Sequence, residues 1–257
     1  MSAAAARSDA WGARARDWAE NEVQQLPTYE EAIRRAPVRP GDRVLDMGCG
    51  SGVFLRACVD AGAGAVAGVD ASRGLIAIAR ERVPPAELVV GDMQSLPFAD
   101  ASFDVVAGFN SFFFAADMVA ALREAGRVAR RGAPVVIQVW GRGDRCDLRR
   151  MTVALRELRG ARPDDGPALC APGVLEGIAE AAGLRPREAF DLSYEIRERD
   201  AGTLVRRMLS PPPVAGAAAA MGEDVVRETI LTSLAPFRRA DGSYTLANEW
   251  HFLIAEA

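Results

Sequence analysis

An open α/β fold, a mostly parallel sheet with helices on both faces, is what the chain from residue 41 onward predicts. Three observations carry that expectation. Short apolar β-type runs alternate with helical patterns, the rhythm of strand–helix–strand units. A glycine-rich turn, GCGSG at 48–52, follows directly on the first apolar run. Successive runs then end on aspartates, Asp46, Asp70 and Asp92.

The elements follow in order. RVLDMG (43–48) is the first strand, and VFLRACVDAG (53–62) the helix behind it. AVAGVD (65–70) is a second strand, and SRGLIAIARERV (72–83) a helix with Ser72 as its N-cap. ELVVGD (87–92) is the third strand and FDVVAGF (103–109) the fourth, with a helix over about 117–130. APVVIQVWG (133–141) is a fifth, poor in polar residues as a central strand should be. The rhythm then slackens. CDLRRMTVALRELRG (146–160) predicts an inserted amphipathic helix, and PGVLEGIAEAAGL (172–184) a helix opening on proline and closing on glycine. PREAFDLSYEI (186–196) and SYTLANEWHFLIAEA (243–257) are two last strands. Between them lies a polar and helical stretch broken by Pro211, Pro212 and Pro213. Residues 1–40 lead in with one or two helices bearing Trp11, Trp18 and Tyr29.

Composition narrows the function. The chain has 257 residues, 49% apolar and 26% charged, enough for one large α/β domain with a small cap. No apolar run approaches the roughly 20 residues of a membrane span, and the first residues lack the apolar core of a secretory signal. Cytoplasmic residence is the expectation. The four cysteines form no CxxC pair and there is one histidine, His251, so a histidine-based metal site is excluded and no metal is expected. The net charge is −4 and the 31 basic residues, all arginine, are dispersed. A nucleic-acid groove would concentrate them on one face, so no nucleic-acid partner is expected.

The chemistry lies in VLDMGCGSG (44–52). Glycine there lets the chain turn sharply and lets a ligand touch backbone without a Cβ between. A dinucleotide fingerprint starting at Gly48 would need glycine at position 53, which is Val53, and a P-loop needs a lysine, which the chain lacks. Asp46 beside the turn would repel a pyrophosphate but suits a ligand with ammonium and sulfonium charge. Asp70 stands where a carboxylate can accept both hydroxyls of a ribose. Asp92 can accept from an adenine amino group, with Met93 packed on the ring. One aspartate at a strand end is ordinarily a turn residue. Three at consecutive strand ends surround one site.

DMGCGSG, GVDAS, GDMQSLPF and FDVVAGFN together resemble, in order and spacing, the signature regions of class I S-adenosylmethionine methyltransferases. The likeness is greatest to the small-molecule branch of quinone-pathway and natural-product enzymes, over about residues 10–145 and more weakly 172–190 and 243–256. It implies a seven-stranded Rossmann-like sheet, S-adenosylmethionine as cofactor and S-adenosylhomocysteine as product. Gly48, Cys49 and Gly50 would then line the methionine part, with Gly52 also among the cofactor-binding residues and Asp46 on the amino group directly or through water. Asp70 and Ala71 would take the ribose, Asp92 and Met93 the adenine, and Asn110 would lie between cofactor and acceptor. RRGAPVV departs from the Pro-Gly-Gly turn that relatives place before strand five. FNSFFFAAD (109–117) lacks both prolines of the Asn-Pro-Pro-aromatic motif of amino-group methyltransferases and is not one.

The acceptor expected is a small, largely apolar molecule from secondary metabolism. Phe112 and Phe113, just past strand four, are candidates for its wall, although a phenylalanine cluster is ordinarily core. Trp18 and Tyr29 could belong to a lid made by residues 1–40, leaving 41–257 as the methyltransferase domain with cap insertions at about 142–171 and 197–242. His251 lies several residues into an antiparallel last strand, at about 3.3 Å each, and reads as structural. Tyr244, nearer the active edge, and Asn110 are the catalytic candidates. The alternatives are a cyclase or isomerase using the same cofactor site without methyl transfer, and a non-catalytic regulatory subunit on this scaffold.

Overall fold

A computed structural model describes residues 10–160 and 168–257. The first nine residues of the expected lid and 161–167 of the first expected insertion lie outside the described residues. Seven strands form one sheet: β1 (Arg43–Met47), β2 (Ala65–Asp70), β3 (Glu87–Val90), β4 (Val105–Phe109), β5 (Pro134–Trp140), β6 (Arg185–Glu198) and β7 (Tyr244–Glu256). Their spatial order is β3-β2-β1-β4-β5-β7-β6. The first five are parallel, and β7 runs antiparallel to both β5 and β6. The order reverses between β1 and β4, so their carboxyl ends diverge into the crevice where open α/β sheets bind ligands.

Helices α3 (Val53–Asp60), α4 (Arg73–Arg82), α5 (Met118–Val128) and α7 (Val174–Ala181) cover the sheet. Ser72 caps α4 by accepting from Leu75 N, as the sequence predicts, and Asp117 caps α5 from Ala120 N. Strand alternation divides the core. Val44 joins Phe54 and Leu55 of α3 on one face, while Leu45 and Met47 join Leu122 of α5 and Leu175 of α7 on the other.

Three segments outside the sheet gather at its carboxyl edge. The N-terminal segment gives α1 (Ala15–Glu22) and α2 (Leu26–Arg35), joined by a single 3-10 turn. After β5 comes α6 (Arg149–Leu158), and between β6 and β7 come α8 (Ala201–Met208), α9 (Pro212–Met221) and α10 (Glu223–Leu234). Ion pairs tie these pieces together. Arg206 on α8 holds Asp17 and Glu20 of α1, and Arg14 holds Glu223. Exposed pairs of this kind contribute only about 0–1 kcal/mol each, so the apolar contacts of Leu204, Val205 and Met208 do more to fix the segment.

Several boundaries differ from expectation, two of them in the parallel strands by two residues. The third strand ends at Val90, leaving Asp92 in the following turn, where it accepts from Gln94 N at 2.9 Å. The fourth begins at Val105, because Phe103 makes only an isolated bridge to Ala129. His251 sits mid-strand, facing Asp191 across the β6–β7 pair with Nδ1 2.6 Å from the carboxylate.

Candidate active site

The turn from β1 to α3 is built on three left-handed glycines: Gly48 (φ 84°), Gly50 (φ 53°) and Gly52 (φ 81°). Gly48 N and Cys49 N both donate to Val69 O, folding the turn across the end of β2. Each glycine has a different steric reason. A Cβ on Gly48 would lie 2.4 Å from Ser111 Cβ, and one on Gly50 2.7 Å from the carboxylate of Glu22. A Cβ on Gly52 would press on Ala79 of α4 at 3.2 Å. Gly48 and Gly50 line a cavity of about 600 Å³. Gly52 does not; its place is in the packing of α3 against α4.

Around the turn stand three carboxylates. Asp70, at the end of β2, accepts from Gly50 N at 3.0 Å and Ser72 N at 2.8 Å, and lines the cavity. Asp46 is 3% exposed, and its Oδ1 has no hydrogen-bond partner. Glu22, at the end of α1, accepts from Ser51 N at 2.8 Å and from Ser51 Oγ at 2.7 Å, while Arg82 donates to Ser51 O. Burial raises the pKa of all three. Glu22 is pushed up to about 7, and Asp46 well above the usual carboxylate range, with Glu22 and Asp70 adding repulsion. Asp70 is raised less far than burial alone would dictate, because two backbone N–H groups favour its charged form. Glu22 and Asp70 face the cavity and Asp46 lies behind the turn, so a cationic ligand there would favour the ionised forms that burial disfavours.

The remaining predicted residues divide. Ala71, Asp92, Met93 and Asn110 line the same cavity, as do Trp18, Tyr29 and Phe113. Asn110 follows β4 in left-handed backbone (φ 49°), its Oδ1 buried and unpartnered and its Nδ2 3.4 Å from Gln25 Oε1. Tyr29 packs edge-on against Phe109, ring centres 4.6 Å apart. Five predicted residues do not line the cavity: Gly52, Asp46, which lies behind the turn, and three more. Cys49 turns its sulfur back onto Gly68, so the turn offers a ligand its glycines and not its thiol. Phe112, 1% exposed, packs in the core with Leu122 and Val106, because a short 3-10 turn at Phe112–Phe114 sends adjacent rings to different sides. Tyr244 is 3% exposed, paired with Glu198 and packed near Leu246 and Trp250, off the cavity wall.

Several wall residues escaped sequence reasoning. Glu22 and Gln25 come from the N-terminal segment, Leu148 and Met151 from around α6, and Met208, Pro211, Pro213 and Val214 from the β6–β7 connection. Trp140 and Trp250 add rings from adjacent strands, centres 5.7 Å apart. One signal for the first pair was available. Trp18, Glu22, Gln25 and Tyr29 recur at four-, three- and four-residue spacings, the stripe of one helical face.

Residues 45–137 match the family described as a methyltransferase domain. A demethylmenaquinone methyltransferase of Beutenbergia cavernae is 39% identical over 99 residues, 38% of this chain and 41% of that one. A malonyl-[acyl-carrier protein] O-methyltransferase of Erwinia pyrifoliae is 32% identical over 156 residues, 60% of this chain and 57% of that one. The chain thus spans about half the length of these curated relatives. Among solved structures, the YcgJ protein of Bacillus subtilis superimposes with a TM-score of 0.59 at 18% identity, covering 90% of this chain and 99% of that one. The matched segment holds the glycine turn, Asp46, Asp70, Asp92 and Asn110, and the seven-stranded sheet around it has the Rossmann-like fold of class I methyltransferases, so the chain carries a methyltransferase domain.

Proposed function

We propose that this chain methylates a small, largely apolar metabolite at the expense of S-adenosylmethionine. The observation that supports this most is the continuity of one cavity, which runs from the carboxylate-lined glycine turn to a wall of aromatic and aliphatic side chains. Gly48 and Gly50 would receive the methionine part, with Asp46 toward its ammonium. Asp70 and Ala71 would hold the ribose, and Asp92 with Met93 the adenine. When bound, the cofactor supplies an activated methyl group for in-line attack by a nucleophile on the acceptor, leaving S-adenosylhomocysteine.

The chain's own contribution is alignment and exclusion of water. Tyr29, Phe113, Trp140, Met151, Met208 and Trp250 give the same cavity much of its apolar surface. Residues 10–40 would act as a lid and residues 197–242 as a cap, joined by the Arg206 and Arg14 ion pairs. The relative named for demethylmenaquinone is in keeping with an apolar acceptor, while the one named for malonyl-[acyl-carrier protein] points to a carboxylate. The described helices include none long and apolar enough to cross a membrane.

The test is release of S-adenosylhomocysteine from S-adenosylmethionine in the presence of fractionated extract or a panel of hydroxylated and aminated aromatics. Release dependent on one fraction, and lost together with cofactor affinity in Asp70→Ala, supports the reading. Tight cofactor binding with no product from any acceptor points instead to non-methylating use of the site.

A further inference from the structure

Glu22 belongs to none of the signature regions and lies outside the segment that matches the methyltransferase domain. It is nonetheless the residue through which α1 meets the glycine turn. Its carboxylate is 4% exposed, fills the space left by the missing Cβ of Gly50, and accepts from both the backbone and the hydroxyl of Ser51. It also lines the cavity beside Gly48, Gly50 and Asp70. A purely structural tie to Ser51 would need no charge there, and a neutral amide would serve it at lower desolvation cost. Arg82 already reaches Ser51 from α4, yet burial outweighs its attraction, so a further cation in the cavity would give the ionised carboxylate the partner it still needs. Behind the turn, the buried and unpartnered Asp46 Oδ1 lies in the same electrostatic field and lacks the same thing.

We propose that Glu22 is a cofactor-binding residue: the third carboxylate, with Asp46 and Asp70, of the site for the cofactor's ammonium, supplied by the N-terminal helix so that one contact holds both ligand and helix. This rests on the cofactor reading above. The charged groups around Glu22 are few. Arg82 approaches from α4, Asp46 from β1 and Asp70 from β2, and the Tyr29 hydroxyl and Cys49 thiol share its field. Arg206 of α8 is engaged with Asp17 and Glu20, which lie on another face of α1, and Arg207 with Glu198. Binding an ammonium requires Glu22 ionised, and burial holds it near neutrality at about 7 in the free protein. Cofactor binding should therefore expel a proton in the neutral range.

The experiment is calorimetric titration of S-adenosylhomocysteine and of 5′-methylthioadenosine, which keeps the nucleoside and thioether but lacks the amino acid. Wild type and Glu22→Gln are compared at pH 6 and pH 8, in buffers of different ionisation heat. Wild type should bind S-adenosylhomocysteine about tenfold more weakly at pH 6 than at pH 8, with proton release, while methylthioadenosine shows neither effect. Glu22→Gln should lose about tenfold or more in S-adenosylhomocysteine affinity at pH 8 and keep its methylthioadenosine affinity. Equal loss of both ligands, no loss, or wild-type affinity that falls as pH rises overturns the proposal. If Glu22→Gln does not fold, the wild-type contrast between the two ligands decides alone. A wild type that binds neither ligand overturns the cofactor reading itself, a different outcome from binding without proton release.

Discussion

Glu22→Gln should stabilise the free protein at neutral pH and do so in a pH-dependent way. Burial raises the Glu22 pKa from an ordinary 4.5 to about 7. A carboxyl whose folded pKa lies above its unfolded value contributes stability that is complete below the unfolded pKa and is lost as pH rises through the folded one. The loss therefore runs from about pH 4.5 to about pH 7. At about 1.4 kcal/mol per pKa unit, the shift corresponds to roughly 3 kcal/mol, undiminished by solvent because the group is buried. Glutamine is neutral throughout and keeps an oxygen for Ser51 N, so the difference between variant and wild type should climb by up to roughly 3 kcal/mol over that window and then level off. For a chain of this size that is about 6–12 °C in Tm. Parallel melts at pH 5, 6, 7 and 8 without cofactor measure it. Taking the difference removes the titration of surface carboxylates such as Glu31, held down to about 2 by Arg34 and Arg35. A difference that stays flat with pH, or that falls, would refute the assignment of Glu22 as a buried acid held in its neutral form.

Gly48→Ala should cost about 1–3 kcal/mol and weaken cofactor binding, since the new Cβ would meet Ser111 Cβ at 2.4 Å in left-handed backbone; a melt and a titration on one sample check both. Phe112→Ala should lose about 3–5 kcal/mol of stability as a core deletion. Phe113→Ala, partly buried on the cavity wall, should lose far less and instead weaken acceptor binding; reversal of the two effects would mean the rings are misassigned. Dialysis against a chelator should leave turnover intact, because the described residues include no group of three metal-ligating side chains. Activity lost and then restored by Mg²⁺ would contradict that.

Much of the fold was legible because its information is local. β2 spans Ala65–Asp70, the boundaries predicted from AVAGVD, and Ser72 caps the next helix as its position implied. The parallel strands are short apolar runs closed by glycine or aspartate, so pattern and punctuation coincide. Where they separate, the boundaries moved. Phe103 belongs to the apolar run of the fourth strand, yet its backbone partners are Val128 and Arg130 at the end of α5, and only from Val105 does the ladder to β1 run. The β6–β7 pair extends to Glu198 and Tyr244, beyond the predicted end at residue 196, because two antiparallel strands can continue pairing past the edge of the parallel sheet.

The proposed cofactor side and the proposed acceptor side of the cavity differ in what they are made of, and that decides which could be read. A ligand at the glycine turn would meet backbone: the left-handed Gly48 and Gly50, beside Asp70 at the end of β2. Such a site is written in consecutive residues, and Gly48, Gly50, Asp70 and Asp92 line the cavity as their motif suggested. Cys49 and Gly52 fall within the same motif but face α-helical and sheet packing, since a motif fixes backbone and leaves each side chain to its neighbours. The acceptor wall has no such backbone rule. It is assembled from α1, α2, the ends of β4 and β5, α6 and the β6–β7 connection, so membership depends on how separate segments dock. Phe112 and Phe113 show the limit: identical neighbours in sequence, one core and one wall, divided by a turn of a single 3-10 helix. Glu22 shows the converse. It shares a helical face with Trp18, Gln25 and Tyr29, and two polar side chains on a face that also carries two large rings are the only trace the sequence gives of a wall built jointly with another part of the chain.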